Sequence, residues 1–211
     1  MADNITIRDF SSSSARTMRT TDNSGIHTPH HNVDEIAAGE THIGEVGLRA
    51  SVISANFSRP ADTTAYVSGD LVANSTTAGS VTPLSFSAAR VAAGNFKVSR
   101  ARLKKSNTST TNATFRLHLY LTSPTCANGD NGAWSTTESG YLGSFDLDMT
   151  GGNGRAFTDA AKVIGVPAVG SEIIAKLSSG STIYGLLEAR AGYTPASGET
   201  FTVELELSQQ N

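Results

Sequence analysis

Cysteine is nearly absent from this chain: Cys126 is the only one among 211 residues. No internal disulfide framework can form, so stability must come from packing or assembly, and Cys126 itself reads as a structural thiol. Charge is also sparse, at 17% of residues against about 25% in an average soluble protein. The 16 basic residues are outnumbered by 19 acidic ones, giving a net charge of −3 and a pI near 5.9. That balance argues against nucleic acid as a partner, because phosphate binding requires concentrated Lys and Arg. No stretch approaches the roughly 18 apolar residues of a membrane helix. The start, Met1-Ala2-Asp3-Asn4, has neither the basic nor the apolar region of a secretory signal, so cytoplasmic synthesis without a membrane partner is expected. A Gly-x-Ser-x-Gly elbow, a phosphate-binding loop and a dinucleotide fingerprint on a strand-to-helix turn are all missing, and no cofactor is implied.

What is present is Ser and Thr, together about a quarter of the chain, and a two-residue alternation of apolar and polar side chains. Phe115, Leu117, Leu119 and Leu121 alternate with Thr114, Arg116, His118 and Tyr120, and Phe201 to Leu207 repeats the pattern. Successive side chains on a strand face opposite sides, so each segment has a core face and a wet face. Strands are expected near 50–58, 64–67, 84–89, 96–104, 112–122, 141–148, 172–177, 183–191 and 199–208. Turn-forming Gly, Pro, Asn and Asp punctuate them, as at Asn128-Gly129-Asp130-Asn131-Gly132 and Gly151-Gly152-Asn153-Gly154. The stretch 160–164 is too short for a helix. Such spacing predicts an all-β chain, a two-sheet β-sandwich of jelly-roll type.

Residues 1–49 are polar and aperiodic, with a Ser11-Ser12-Ser13-Ser14 run. They are expected to form an extended N-terminal arm, with 5–10 and 43–48 able to pair as edge strands, ahead of a sandwich domain over 50–211. Within the sandwich, 96–104 breaks its own alternation: the apolar side moves from Phe96 and Val98 to Ala101 and Leu103. A β-bulge near Ser99 would shift the parity by one and place Arg100, Arg102 and Lys104 in one outward basic row. That row is either a solvated face paired with acidic neighbours or a docking surface for an acidic partner.

Several groups resemble chemical sites without completing one. His27, His30 and His31 are the densest set of metal-ligating side chains, but only the isolated His42 and His118 could join them and the spacing is loose. The cluster, with Ile26, reads instead as a contact point of the arm. Asp146 with Asp148, and Glu204 with Glu206, each share a strand face at about 7 Å, a spacing that permits acid/base work. Both pairs lie opposite apolar positions, however, and solvent exposure would not separate their pKa values. Asn128 to Asn131 offers oxygen ligands but no bidentate Glu at calcium-loop spacing. Trp134 and Tyr141 flank this loop and either anchor it or stack on a sugar.

Three motifs occur in order: Phe57-Ser58-Arg59-Pro60-Ala61-Asp62-Thr63-Thr64-Ala65-Tyr66; Phe115-Arg116-Leu117-His118-Leu119-Tyr120; and Tyr184-Gly185-Leu186-Leu187-Glu188-Ala189 with Tyr193-Thr194-Pro195-Ala196-Ser197-Gly198-Glu199-Thr200-Phe201. Together they resemble a family of tailed-bacteriophage virion structural proteins, over about 51–207, and Gly25-Ile26-His27-Thr28-Pro29-His30 looks like that group's lead-in. The resemblance implies a capsid decoration or cement protein with a jelly-roll body, binding the major capsid protein and itself, with a homotrimer favoured, on the virion exterior. It carries over no catalytic residues. A tail, baseplate or head-fibre component binding host glycan through the Trp134 loop is the alternative.

Overall fold

The computed structural model describes residues 4–8, 15–23, 26–29, 49–165, 167 and 172–210. It is all-β and divides into two compact units, 1–47 and 48–211. In the first, β1 (Asn4–Arg8), β2 (Ala15–Asn23) and β3 (Ile26–Pro29) form an antiparallel sheet with β2 in the centre. The first half of β2 pairs with β1, from Asn4 opposite Arg19 to Arg8 opposite Ala15. Its second half pairs with β3, from Thr20 opposite Pro29 to Asn23 opposite Ile26. The expected strand at 43–48 lies outside the described residues.

The second unit is a two-sheet β-sandwich. Its strands are β4 (Arg49–Ser58), β5 (Leu71–Val72), β6 (Leu84–Ser87), β7 (Asn95–Lys105), β8 (Thr114–Tyr120), β9 (Tyr141–Asp148), β10 (Arg155–Ala156), β11 (Ala161–Gly165), β12 (Ile173–Lys176), β13 (Thr182–Ala189) and β14 (Thr200–Gln210). Sheet 1 runs β10-β11-β7-β14-β4, with β12 also on β7, and sheet 2 runs β5-β13-β8-β9, with β6 also on β13. Each sheet therefore has one edge made of two collinear pieces. β12 pairs with Asn95 to Val98 and β11 with Ala101 to Lys105, while β6 and β5 share β13 in the same way. Setting aside the two-residue β10 outside β11, counting each split edge as one row and numbering rows along the chain, sheet 1 reads 1-8-3-6 and sheet 2 reads 2-7-4-5. All these pairings are antiparallel.

Alternation explains the packing. Phe115, Leu117 and Leu119 of β8 and Phe201, Val203 and Leu205 of β14 are fully buried, facing each other across the sandwich. The ring of Phe115 meets Phe201 edge-on at 5.4 Å and Tyr193 at 5.2 Å, and Phe57 stacks on Phe201 at 5.6 Å, the offset and edge geometries that aromatic quadrupoles favour. On β7 the parity change is at Ser99: Leu207 of β14 stands opposite Val98 but Glu206 opposite Arg100, leaving Ser99 as the extra residue. Its hydroxyl donates to the Glu206 carbonyl at 3.3 Å. The gap between β12 and β11 falls on the same bulge.

One expectation needs correction. Residues 64–67 form no strand, because the Asp62 side chain accepts the Thr64 N–H at 2.9 Å and the Asp70 side chain accepts the Val67 N–H at 2.6 Å. Such side-chain acceptors replace a ladder partner and curl the segment, which turns Tyr66 inward. The stretch 160–164, too short for a helix, is strand: Val163 faces the core and Ile164 solvent, as alternation requires.

Candidate functional site

The outer face of sheet 2 brings together side chains from three strands and one long loop. Register places Tyr184, Tyr120 and Tyr141 in one row across β13, β8 and β9, and Glu188, Arg116 and Asp146 in another, four residues along β13 and β8. His118 stands between the rows. Its Nε2 is 2.8 Å from Glu188 Oε2 and its Nδ1 is 3.3 Å from the Tyr141 hydroxyl. A neutral ring protonated on Nε2 donates to Glu188 and accepts from Tyr141, satisfying both contacts. Burial pulls His118 below the usual imidazole range, and the hydrogen bond and charge of Glu188 only partly oppose it.

Trp134, from the loop joining β8 and β9, lies over His118 with ring centroids 4.3 Å apart, and Tyr141 closes on His118 at 5.9 Å and on Tyr120 at 5.4 Å. Beneath this loop a second small core gathers Leu71, Ala73, Tyr120, Cys126 and Leu186, with Trp134 and Tyr184 against it. Burial raises the Cys126 thiol above its usual range, as expected of a packing residue rather than a nucleophile. The loop is thus anchored, while Tyr141 remains 45% exposed. Beside the rings, Arg116 grips Asp146 through two hydrogen bonds of 2.6 and 3.0 Å, and Arg190 holds Glu188 at 2.8 Å. Fixed aromatic faces next to oriented charged groups suit a flat, hydroxyl-rich ligand.

The carboxylate pairs are engaged elsewhere. Asp148 accepts from the Thr114 and Thr150 hydroxyls at 3.0 and 2.6 Å, and Asp146 belongs to Arg116. On the outer face of sheet 1, Glu204 meets Lys162 at 3.0 Å and Arg102 at 3.4 Å, and Glu206 meets Arg102 and Arg100. Burial pushes the Glu204 carboxyl up, but Lys162 and Arg102 outweigh it and hold it below the ordinary range. Of the basic row, Arg100 and Arg102 are thus paired across strands and Lys104 stands exposed. Ile26 and His27 lie in β3 of the N-terminal unit; His30, His31 and His42 fall outside the described residues. Among the described residues no group of three His, Cys, Asp or Glu side chains is placed to hold a metal ion.

The sequence reading passed over the charged groups with the deepest burial. The Arg59 and Asp130 side chains are fully buried and 2.9 Å apart, and the Tyr66 hydroxyl donates to Asp130 at 2.7 Å. Arg59 also donates to Tyr66 at 2.8 Å and to Asp62 at 3.0 Å. Burial pushes the Asp130 carboxyl up, and the Ala73 N–H, Tyr66 and Arg59 pull it back. Lys105 is equally buried, 3.6 Å from Glu199, and donates to the Asn107 and Ser109 carbonyls and to the Tyr193 hydroxyl. Tyr193 in turn donates to Glu199 at 2.7 Å. Every charge is met by several polar partners, so these groups join loops rather than offer chemistry. Parity could have flagged two of them: Lys105 and Glu199 occupy inward positions beside Leu103 and Phe201. Compared with protein-family models, curated proteins and solved structures, the chain matches none of them.

Proposed function

We propose that the chain is a non-enzymatic structural protein of a tailed-phage virion, a capsid decoration or cement protein that clamps neighbouring capsomers. The observation that supports this reading is the row order 1-8-3-6 and 2-7-4-5 of the two-sheet sandwich, which suits two interleaved Greek keys and so the proposed jelly-roll body. A small strand-forming unit over 1–47 precedes that body and suits a clamp. Pairing of the surface carboxylates with Arg and Lys supports a non-catalytic role. The partners are the major capsid protein and copies of the chain itself in a closed ring, a homotrimer, on the capsid exterior and away from nucleic acid and membrane. Many weak identical contacts would then multiply into firm attachment. Purified protein is expected to bind DNA-filled or expanded capsids with saturable stoichiometry; absence of binding to either form sinks the reading.

A second reading rests on the rings around His118. Trp134 and Tyr141 beside the Arg116–Asp146 pair favour a glycan-binding adhesion role in a tail, baseplate or head fibre. Binding to host surface glycan that Trp134→Ala removes, without capsid binding, would select it.

A further inference from the structure

Three of the four sandwich edges are guarded against pairing with another chain. The β10–β12 edge is broken in two and carries Lys162 and Lys176, and the β5/β6 edge consists of pieces of two and four residues. β9 carries Asp146 and Asp148, bends at Gly143 with φ +140°, and is bridged at Phe145 by Pro167. Charges, breaks, bends and proline are the devices that keep edges from associating.

Past Arg49, β4 has none of them. It runs ten residues unbroken, and among the described residues pairs only with β14. From Ala50 to Ser58 it holds no charged residue, proline or glycine. Its inward side chains Ile53, Ala55 and Phe57 are only partly buried, although their counterparts on β14 are fully so. Alongside them runs an open groove of about 550 Å³ lined by Ala55, Phe57, Pro83 and Leu84 among others.

We infer that this edge pairs with the same edge of a second copy, antiparallel about a twofold axis through Ser54. The occupant follows from the strand itself. Extending sheet 1 requires another long, uncharged edge, and among the described strands β4 is the one that offers it. The uncharged run 50–58 is symmetric about Ser54, so antiparallel pairing brings like charges together only at its ends, where Arg49 comes opposite the partner's Arg59, a side chain buried against Asp130. It sets Ile53 opposite the partner's Ala55 and Phe57 opposite the partner's Ser51, large against small, and keeps inward residues inward. An isologous contact uses up both open edges and stops growth, where a head-to-tail one would leave an edge free. The pairing does not depend on what the assembled protein binds. Combined with a threefold ring it gives a hexamer, and by itself a dimer.

Light scattering on the full chain tests this. The wild-type protein should contain an even number of chains, halved by Ser54→Lys and by Ser54→Glu, each of which sets like charges face to face at the axis. Mixing the two variants should restore the original size. Because Ser54 faces solvent, circular dichroism should find both variants folded. In the unmodified protein, hydrogen exchange should show the outward amides of 50–58 protected and released on dilution. A monomeric or odd-numbered wild type, an assembly unchanged by Ser54→Lys, a mixture that fails to reassociate, or amides whose exchange ignores dilution would each overturn the inference.

Discussion

Tyr66 and Tyr193 lie ring over ring, 6.5 Å between centroids and 7° from parallel, and each hydroxyl serves a different buried ion pair. Tyr66 donates to Asp130 beside Arg59, and Tyr193 to Glu199 beside Lys105. Two charged networks thus share one aromatic joint, which ties the loops after β4, β7 and β13 to the loop holding Asp130. Removing one charge strands its partner away from water. Lys105→Ala is therefore expected to cost about 3–5 kcal/mol in urea denaturation, whereas Lys105→Met combined with Glu199→Leu should cost much less than the sum of its parts.

Phe115 bridges the two sheets, touching Phe201 on one side and Tyr193 on the other. Phe115→Ala leaves a cavity that rigid strands cannot close, with an expected loss of about 3–5 kcal/mol. Phe115→Leu keeps most of the volume and should lose distinctly less, and thermal melts of the pair give the comparison.

Acid should act in two windows. His118 takes up a proton less readily in the folded protein than at its ordinary value of 6.5 in the unfolded chain. The unfolded state binds more protons, so this contribution is complete above about pH 7 and is lost as pH falls through the lowered folded value. The depressed carboxyls of Glu204 and Asp148 act with the same sign lower down, below their ordinary 4.5 and 3.8. Melting temperature should therefore fall between pH 7 and 5 in the wild type but much less in His118→Gln, with both proteins falling together at lower pH.

Trp134 is the sole tryptophan and rests on His118. A protonated imidazole quenches a neighbouring indole, so tryptophan emission should drop as His118 titrates, at a midpoint below pH 6.5. His118→Gln should abolish the step; a step that persists would place its source elsewhere.

Much of the sandwich was legible because half its residues face a dry core, and that requirement writes a two-residue period. β14 follows it from Phe201 to Leu207 and β8 as far as Leu119, beyond which the outward Tyr120 is buried under the loop, and even the irregularity in β7 showed as a change of parity at Ser99. The short strands β5 and β10 left no trace, since two residues carry no period. Arg59 and Asp130 lie 71 positions apart with no pattern linking them, and only the folded chain makes their pairing visible. The same holds for His118 and Trp134, which the sequence placed on a strand and a loop without saying that they meet.

The extra residue at Ser99 makes chain length between Phe96 and Leu103 a matter of parity rather than reach. Lys97 and Arg100 both face out although three positions apart, and Val98 and Ala101, equally spaced, both face in. Deleting Ser99 would restore strict alternation, with Ala101 and Leu103 still inward and Val98 and Arg100 still opposite Leu207 and Glu206, and would straighten the strand where β12 gives way to β11. A one-residue deletion in Gly151-Gly152-Asn153-Gly154 would merely shorten a hairpin. Variation in length among natural or engineered versions of this chain should therefore collect in such loops and, inside β7, be confined to the loss of Ser99.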